Sequence, residues 1–261
     1  ATIFIGRYFS MRTLGLYGQA NNFYVVPVSI LADPINKVSY PVFVRVQNDL
    51  ELLKAGYRKV MRLLVQLSAP IIVVLMVLAH PLYHFLFGEK WMEAAVFFQI
   101  LCLAGILYPL NDYNVNILLT KGRSDLFLRL DITRRVIGVV ATVIALVFRD
   151  YWGIQGLLWS QVICQVIFLF INSYYSGRFI QYTIWRQLIE LLPFFLMSGV
   201  SGLAVWSVDT YLTSGLSDFL RLAIGGIVMG AAYLVLLYTF ARKDLFYVWA
   251  LLQEHLLKRK V

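Results

Sequence analysis

Residues 94–120 read AAVFFQILCLAGILYPLNDYNVNILLT. This stretch is long enough to cross the hydrocarbon core of a membrane, because a helix does so with about 20 mostly apolar residues. Its second half contains Pro109 and a group of asparagines around Asp112. The stretch therefore predicts a membrane-spanning helix with a polar segment inside it.

The rest of the chain has the same character. Of its 261 residues, 60% are hydrophobic and 14% are charged, whereas soluble domains contain about 45–50% apolar and about 25% charged residues. A single water-soluble core does not bury this much apolar surface. We therefore predict an all-α, polytopic bundle of transmembrane helices. The predicted spans are the apolar runs at residues 20–43, 64–87, 94–120, 132–148, 153–173, 188–208 and 219–240.

The start of the chain looks like the last turns of a further span. Residues 1–6 read ATIFIG and begin with Ala1 instead of Met. We therefore expect the chain to be a fragment of a longer protein whose first span is truncated here.

The basic residues indicate how the bundle is oriented. Most of the 23 Lys and Arg residues fall in loops on one side of the predicted spans, at residues 37–62, 121–135, 178–186 and 242–260. The positive-inside rule places such loops in the cytoplasm. We therefore predict a cytoplasmic C-terminus, and we attribute the net charge of +9 to these loops and not to nucleic-acid binding. Helically spaced apolar residues and a basic end predict an amphipathic tail on the inner leaflet at residues 241–261.

Polar side chains inside the predicted spans are the candidate functional residues. A carboxylate at mid-bilayer costs about 2.5–3.5 kcal/mol, so it must face the bundle interior or water. One group surrounds Pro34, which removes a backbone donor and can open its helix, and the other follows Pro109. The candidate cavity residues are Asp33, Asn36, Asn111, Asp112, Asn114 and Asn116, together with Arg7 near the start of the chain.

Two interpretations of the asparagine-rich segment stay open. Asp112 and Asn116 are four residues apart and share one helical face, whereas Asn111 and Asn114 share a neighbouring face. The segment is either a cavity wall that binds a hydroxyl-rich or phosphorylated group, or a set of interhelical hydrogen bonds.

Arginines near these residues also have two interpretations. Arginine matches phosphate geometry, which makes Arg129, Arg134 and Arg135 candidates besides Arg7. The alternative is topological anchoring by the positive-inside rule. Anchoring is favoured for the adjacent Arg134 and Arg135.

The sequence gives no motif for catalysis or for a cofactor. His80 and His84 are four residues apart, but no third ligand is fixed, so we predict no metal site. No Walker A, Gly-x-Gly-x-x-Gly or Gly-x-Ser-x-Gly pattern occurs, so we expect no catalytic residues, no cofactor and no enzyme. The small-residue pairs Ser198/Gly202 and Gly226/Gly230 predict close helix packing.

Several segments resemble the Wzx and WzxC-like polysaccharide exporters of the multidrug/oligosaccharidyl-lipid/polysaccharide superfamily. They include Ile5–Phe9, Leu14–Ala20, Val38–Phe43, Leu86–Trp91 and Gly122–Asp125. The resemblance covers nearly the whole chain and implies a two-lobed flippase fold. It assigns residues 1–175 to the second lobe, 176–240 to two additional C-terminal spans and 241–261 to the cytoplasmic tail.

The resemblance also implies a function. The protein would translocate undecaprenyl-diphosphate-linked oligosaccharide across the bacterial inner membrane by alternating access, for polysaccharide or lipopolysaccharide (O-antigen) biosynthesis. Its partners would be that lipid-linked oligosaccharide, membrane lipids and other polysaccharide assembly proteins. The alternatives are a multidrug or cation antiporter of the same superfamily, and a membrane-embedded polysaccharide polymerase or glycosyltransferase. A protonatable Asp33 or Asp112 would allow ion coupling.

Overall fold

The computed structural model describes residues 8–242. Eight α-helices lie in this part of the chain: α1 (Met11–Arg45), α2 (Leu50–Val77), α3 (Ala79–Phe87), α4 (Met92–Thr120), α5 (Ser124–Val147), α6 (Arg149–Ile180), α7 (Ile184–Tyr211) and α8 (Asp218–Phe240). A 3₁₀ turn at Glu89–Trp91 leads into α4. No strand occurs between residues 8 and 242, and the all-α prediction is confirmed.

Local sequence explains where several helices begin. The side chain of Ser10 accepts a hydrogen bond from the Thr13 amide and caps α1, and Asp49 caps α2 through the Leu52 amide. Such caps satisfy amides that have no partner within the helix. In α6, Gly153 has φ +54° and ψ −148°, a conformation that only glycine adopts readily. The regular part of α6 therefore begins after Gly153, close to the predicted start of that span.

The prediction of a multi-pass membrane protein is confirmed. Five helical segments of the described chain are long and apolar enough to span a membrane: Leu50–Val77, Glu89–Thr120, Arg149–Ile180, Ile184–Tyr211 and Asp218–Phe240. The predicted runs 20–43 and 132–148 lie in α1 and α5. These two helices are not among the segments that are long and apolar enough to span a membrane. Both contain charged residues within or beside the predicted run.

The predicted span 64–87 is wrong at both ends. Residues 50–62, which we assigned to a basic loop, form the first half of α2. The helix then ends at Val77, and a separate helix, α3, begins at Ala79. Pro81 accounts for this break, because its nitrogen has no hydrogen to donate to the Val77 carbonyl one turn earlier, and proline is tolerated in the first turn of a new helix.

Helix α4 lies at the centre of the bundle. It packs most extensively against α6 and α1, whereas α7 packs mainly against α2 and α8. The core at this junction contains fully buried aromatic side chains, and the rings of Tyr57 and Tyr113 stack with centroids 5.1 Å apart. α4 therefore contacts α2 as well as α1 and α6.

Close helix packing occurs at one of the two predicted small-residue pairs. A Cβ atom added to Gly202 would lie 2.4 Å from Cγ1 of Val73, so α7 and α2 approach closely there. A Cβ added to Gly226 or Gly230 would meet nothing within 4 Å, so the described residues make no close helix contact at this pair. The close approach of α8 is instead made by Gly225, where an added Cβ would lie 2.5 Å from Cδ1 of Leu78.

Candidate functional site

The polar residues of α4 divide into two groups. Asn111 and Asn114 are 2% and 0% exposed, whereas Asp112 and Asn116 are half-buried. The two pairs lie on neighbouring faces of the helix, as their spacing predicts. The helix thus has an enclosed polar face and an open one.

Asn114 is the centre of a buried hydrogen-bond network. Its Oδ1 accepts from Tyr57 Oη at 2.8 Å, from Gln187 Nε2 at 3.2 Å and from Ser176 Oγ. Its Nδ2 donates to the Leu110 carbonyl at 2.9 Å and to Gln187 Oε1 at 3.1 Å. These partners come from α2, α6 and α7 as well as α4 itself. The hydrogen-bonding capacity of Asn114 is therefore used to join four helices.

Asn111 has a similar role between α4 and α6. Its Nδ2 donates to the backbone oxygen and to Oε1 of Gln165, each at 3.0 Å, and its Oδ1 accepts from Asn172 Nδ2 at 3.0 Å. These contacts favour the interhelical interpretation for Asn111 and Asn114.

The open side of α4 meets α1. Asn36 Nδ2 donates to Asp112 Oδ2 at 2.7 Å, while Asn36 Oδ1 is buried and has no hydrogen-bond partner among residues 8–242. Asp33 is exposed one turn earlier on α1 and acts electrostatically on Asp112. We call Asp33, Asn36, Asp112 and Asn116 the α1–α4 polar face. The structure thus brings together the two predicted polar groups, which are far apart in sequence.

The candidate arginines have different surroundings. The Arg134 guanidinium lies over the Phe168 ring, 5.4 Å from its centroid, and is within electrostatic range of Asp112. Arg135 is exposed and forms an ion pair with Asp131 at 2.9 Å. Arg129 is also exposed. Only Arg134 of these three is therefore beside the α1–α4 polar face. Arg7 and the predicted tail beyond residue 242 lie outside the described residues.

The histidines are in the short helix α3. His84 Nδ1 contacts Asp218 Oδ2 at the start of α8, and this hydrogen bond raises the pKa of His84 above its ordinary value of 6.5. In the described part of the chain, no group of three or more His, Cys, Asp or Glu side chains is arranged to hold a metal ion. His84 and Asp218 therefore form a contact between α3 and α8.

Several residues of the polar interior are not among the predicted site residues. Gln165 and Asn172 lie in the predicted span 153–173, and the rule that polar residues inside spans need partners would have identified them. Glu190 lies in the span 188–208, where it accepts from Arg58 Nη2 at 2.6 Å and from Tyr182 Oη at 2.8 Å. The bond from Arg58 links α7 to α2, so Glu190 has a structural partner of opposite charge.

The arrangement defines a multi-pass, all-α membrane protein with a hydrogen-bonded polar interior. Comparisons with known proteins give a closer relationship. The family described as "Polysaccharide biosynthesis protein" matches residues 1–96. The chain is 26% identical over 210 residues to the lipopolysaccharide biosynthesis protein WzxC of Escherichia coli (strain K12), which covers 78% of the chain and 43% of WzxC. The predicted resemblance to WzxC-like proteins is confirmed.

A second relative and a solved structure agree with this result. The chain is 24% identical over 236 residues to the teichuronic acid biosynthesis protein TuaB of Bacillus subtilis (strain 168), covering 90% of the chain and 48% of TuaB. The chain thus spans about half the length of the curated relatives it matches. Its fold matches the lipid II flippase MurJ in an inward closed conformation with a TM-score of 0.68 and 14% identity, covering 88% of the chain and 47% of MurJ. This chain and the matched part of MurJ therefore share a fold.

Proposed function

We propose that the protein carrying this chain translocates an oligosaccharide linked to undecaprenyl diphosphate across the bacterial inner membrane, for polysaccharide or lipopolysaccharide biosynthesis. The similarity to WzxC and TuaB supports the substrate class, and the fold shared with MurJ supports transport over catalysis. In this proposal residues 1–175 form the second lobe, residues 176–240 add two spans, and the loop at Lys121–Arg123 and the C-terminus are cytoplasmic. Other polysaccharide assembly proteins would act before and after this step.

The hydrogen bond between Asn36 and Asp112 is the observation that carries the proposal. A charged or amide side chain in a membrane must face the bundle interior or water, and this pair lies beside the exposed Asp33. Carboxylate and amide groups hydrogen-bond hydroxyl groups well. The α1–α4 polar face therefore has the chemistry to bind sugar hydroxyls in the middle of a membrane protein.

Arg134 supplies the positive charge for the diphosphate. Arginine forms charge-assisted hydrogen bonds with phosphate oxygens, and Arg134 lies beside the polar face. No bond is made or broken in the process. The two lobes of such a transporter rock about the substrate, so the site faces first one side of the membrane and then the other.

Complementation tests this proposal. The natural protein is expressed in a bacterium that lacks its own flippase but makes the matching lipid-linked oligosaccharide, and surface polymer is measured. We expect export to be restored. If the precursor accumulates inside although the protein is present in the membrane and the native glycan pathway is supplied, the flippase proposal is wrong. Extrusion of cationic drugs by the same cells would then favour the antiporter.

A further inference from the structure

The short helix α3 and the first half of α8 are in contact at one end of the bundle. Leu78, which directly precedes α3, lies against Gly225, where an added Cβ would be 2.5 Å from Leu78 Cδ1. Nearer the start of α8, the rings of Phe85 and Phe219 are 5.9 Å apart between centroids, and both side chains are exposed. The contact between the two helices is therefore tight at Gly225 and loose at the start of α8.

A cavity of about 720 Å³ lies beside this loose part of the contact. Its lining includes titratable or charged side chains from α3, from the 3₁₀ turn and from α8: His80, His84, Glu89, Asp218 and Arg221. Folded protein interiors are close-packed, so helices that border a cavity are joined there by few atoms. Among the described residues, the hydrogen bond that joins α3 to α8 at this cavity is the one between His84 Nδ1 and Asp218 Oδ2.

Of the two helices, α3 is the one that is held by its surroundings. Ala79 and Tyr83 are fully buried, and the Tyr83 ring packs against the Phe98 ring of α4 with centroids 5.4 Å apart. In α8, by contrast, none of residues 218–224 is buried. The start of α8 can therefore move away from α3 with little loss of buried surface.

The start of α8 is bound firmly to the end of α7. Arg221 Nε and Nη2 donate to the two carboxylate oxygens of Asp209 at 2.8 Å and 2.7 Å. Paired bonds between arginine and a carboxylate are among the strongest hydrogen bonds in proteins. A displacement of the start of α8 would therefore carry the end of α7 with it, and the two helices form a hairpin that moves as a unit at this end.

The contact between His84 and Asp218 depends on the charge of the imidazole. A histidine with its ordinary pKa of 6.5 changes charge near neutral pH, and a hydrogen bond between two charged groups is stronger than one in which the imidazole is neutral. The hydrogen bond with Asp218, with a smaller contribution from Glu89, raises the pKa of His84 above 6.5. The stabilisation is therefore full below pH 6.5 and is lost as the pH rises through the raised value.

The surrounding charged groups leave His80 as the other side chain that titrates near neutral pH. The charged or titratable residues on the elements that border the contact are His80, Glu89, Lys90, Glu93, Asp209 and Arg221. Glu93 is paired with Arg12 at 2.8 Å and Asp209 with Arg221 at 2.7 Å, and residues 63–77 of α2 include no charged side chain. His80 lines the same cavity and is therefore the natural control for His84.

We propose that His84 and Asp218 form a pH-dependent latch, which holds the α7–α8 hairpin against α3 while His84 is charged and releases the start of α8 as the pH rises. The latch lies near the start of α4, at the opposite end of this helix from Lys121. It therefore responds to the pH on that side of the membrane. The latch concerns the attachment of the hairpin, and it holds whatever substrate the protein carries.

A distance measurement between spin labels tests the latch. The natural protein, with its native cysteines replaced by serine, receives nitroxide labels at Leu86→Cys on α3 and Leu220→Cys on α8, two exposed positions. It is reconstituted in vesicles of phosphatidylethanolamine and phosphatidylglycerol and frozen at about pH 5.5 and about pH 8.5, on either side of the histidine pKa. We expect the ratio of long to short distances to rise about threefold at the higher pH, the change expected from a partly exposed ion pair.

Matched variants assign the pH dependence to one side chain. His84→Gln keeps a hydrogen-bond donor but removes the charge, so we expect the same distances at both pH values, with the ratio that the parent shows at the higher pH. Asp218→Asn should give the same result. His80→Gln should keep the response of the parent. Thermal unfolding is measured for every variant, and if one of the two latch variants does not fold, the other decides.

The outcomes decide the proposal independently of transport, because the measurement involves no substrate. Equal distances at both pH values in the parent would overturn the latch. A response that persists in His84→Gln, or one that is lost in His80→Gln, would overturn it as well, since another group would then control the contact. Release in the parent that both latch variants abolish would support it, whether or not the protein restores export.

Discussion

Both polar faces of α4 contain asparagine, but the surroundings of the two faces differ. Asn111 and Asn114 are enclosed, and each makes hydrogen bonds to neighbouring helices through both its oxygen and its nitrogen. On the other face, Asp112 is half-buried and bonds to Asn36, whose own oxygen has no partner among the described residues. Hydrogen-bonding capacity is thus used up on the first face and remains available on the second. A polar side chain inside a membrane span is therefore not enough to identify a binding residue, because hydrogen bonds between helices use the same residue types.

The largest expected effect is a difference in the free energy of unfolding between variants on the two polar faces of α4. Asn114→Leu removes the acceptor for Tyr57, Ser176 and Gln187, and we expect it to lower the free energy of unfolding by about 2 kcal/mol, since interhelical hydrogen bonds in membranes average about 0.6 kcal/mol each. Asn116→Leu, on the open face, changes it by less than about 0.5 kcal/mol. Reversible unfolding in mixed micelles measures both variants. Equal losses would mean that the faces are not distinct.

The second prediction concerns transport. Asp112→Asn keeps the shape of the side chain and an oxygen for Asn36, but removes the charge. We expect transport to fall about tenfold, the equivalent of about 1.4 kcal/mol, which is the size of one hydrogen bond to a charged group, with no change in unfolding. Export per folded molecule is measured in the complementation strain. Full transport by Asp112→Asn and by Asp33→Asn would remove the α1–α4 polar face from the mechanism.

The third prediction tests the close contact between α7 and α2. Gly202→Ala places a methyl group 2.4 Å from Cγ1 of Val73, a stiff β-branched side chain. We expect a net loss of about 1 kcal/mol, because overpacking costs about 1–3 kcal/mol and alanine returns up to about 1 kcal/mol of helix propensity. Gly199→Ala, where the methyl group meets nothing within 4 Å, is the control and should not destabilise. Thermal unfolding in detergent that showed the same shift for both variants would contradict the close α7–α2 contact.

The smallest expected effect depends on pH. His84 is in α3, outside the five apolar spans, and Asp218 raises the pKa of His84, with a smaller contribution from Glu89. A raised pKa in the folded state gives a stabilisation that is full below the ordinary pKa of 6.5 and is lost as the pH rises through the raised value. Arg221 also faces Asp218, at 3.9 Å, and keeps its charge throughout.

His84→Gln isolates this contribution. The unfolding temperature of the parent protein should fall slightly relative to that of His84→Gln as the pH rises past 6.5. Parallel curves for the two proteins would show that the contact between α3 and α8 does not depend on protonation.

The sequence predicted the helical bundle and the position of α4, because hydropathy and span length are local properties of the chain. It also placed Asp112 and Asn114 on different faces, since helical spacing determines that. Which face is enclosed depends on partners such as Tyr57 and Gln187, which are far away in the chain and have no spacing rule that connects them. The break at Leu78 was not predicted, because the run 64–87 was chosen by hydropathy. Hydropathy does not depend on the backbone amide hydrogen that Pro81 lacks.

Cysteine accessibility distinguishes the open polar face of α4 from the enclosed one. In a background with Cys102→Ser and Cys164→Ser, the rate at which a membrane-impermeant thiol reagent modifies Asn116→Cys is compared with the rate for Asn114→Cys, with and without the lipid-linked oligosaccharide. We expect fast modification at position 116 that the substrate slows, and negligible modification at position 114. Equal rates at the two positions, or a rate at position 116 that the substrate does not change, would contradict it.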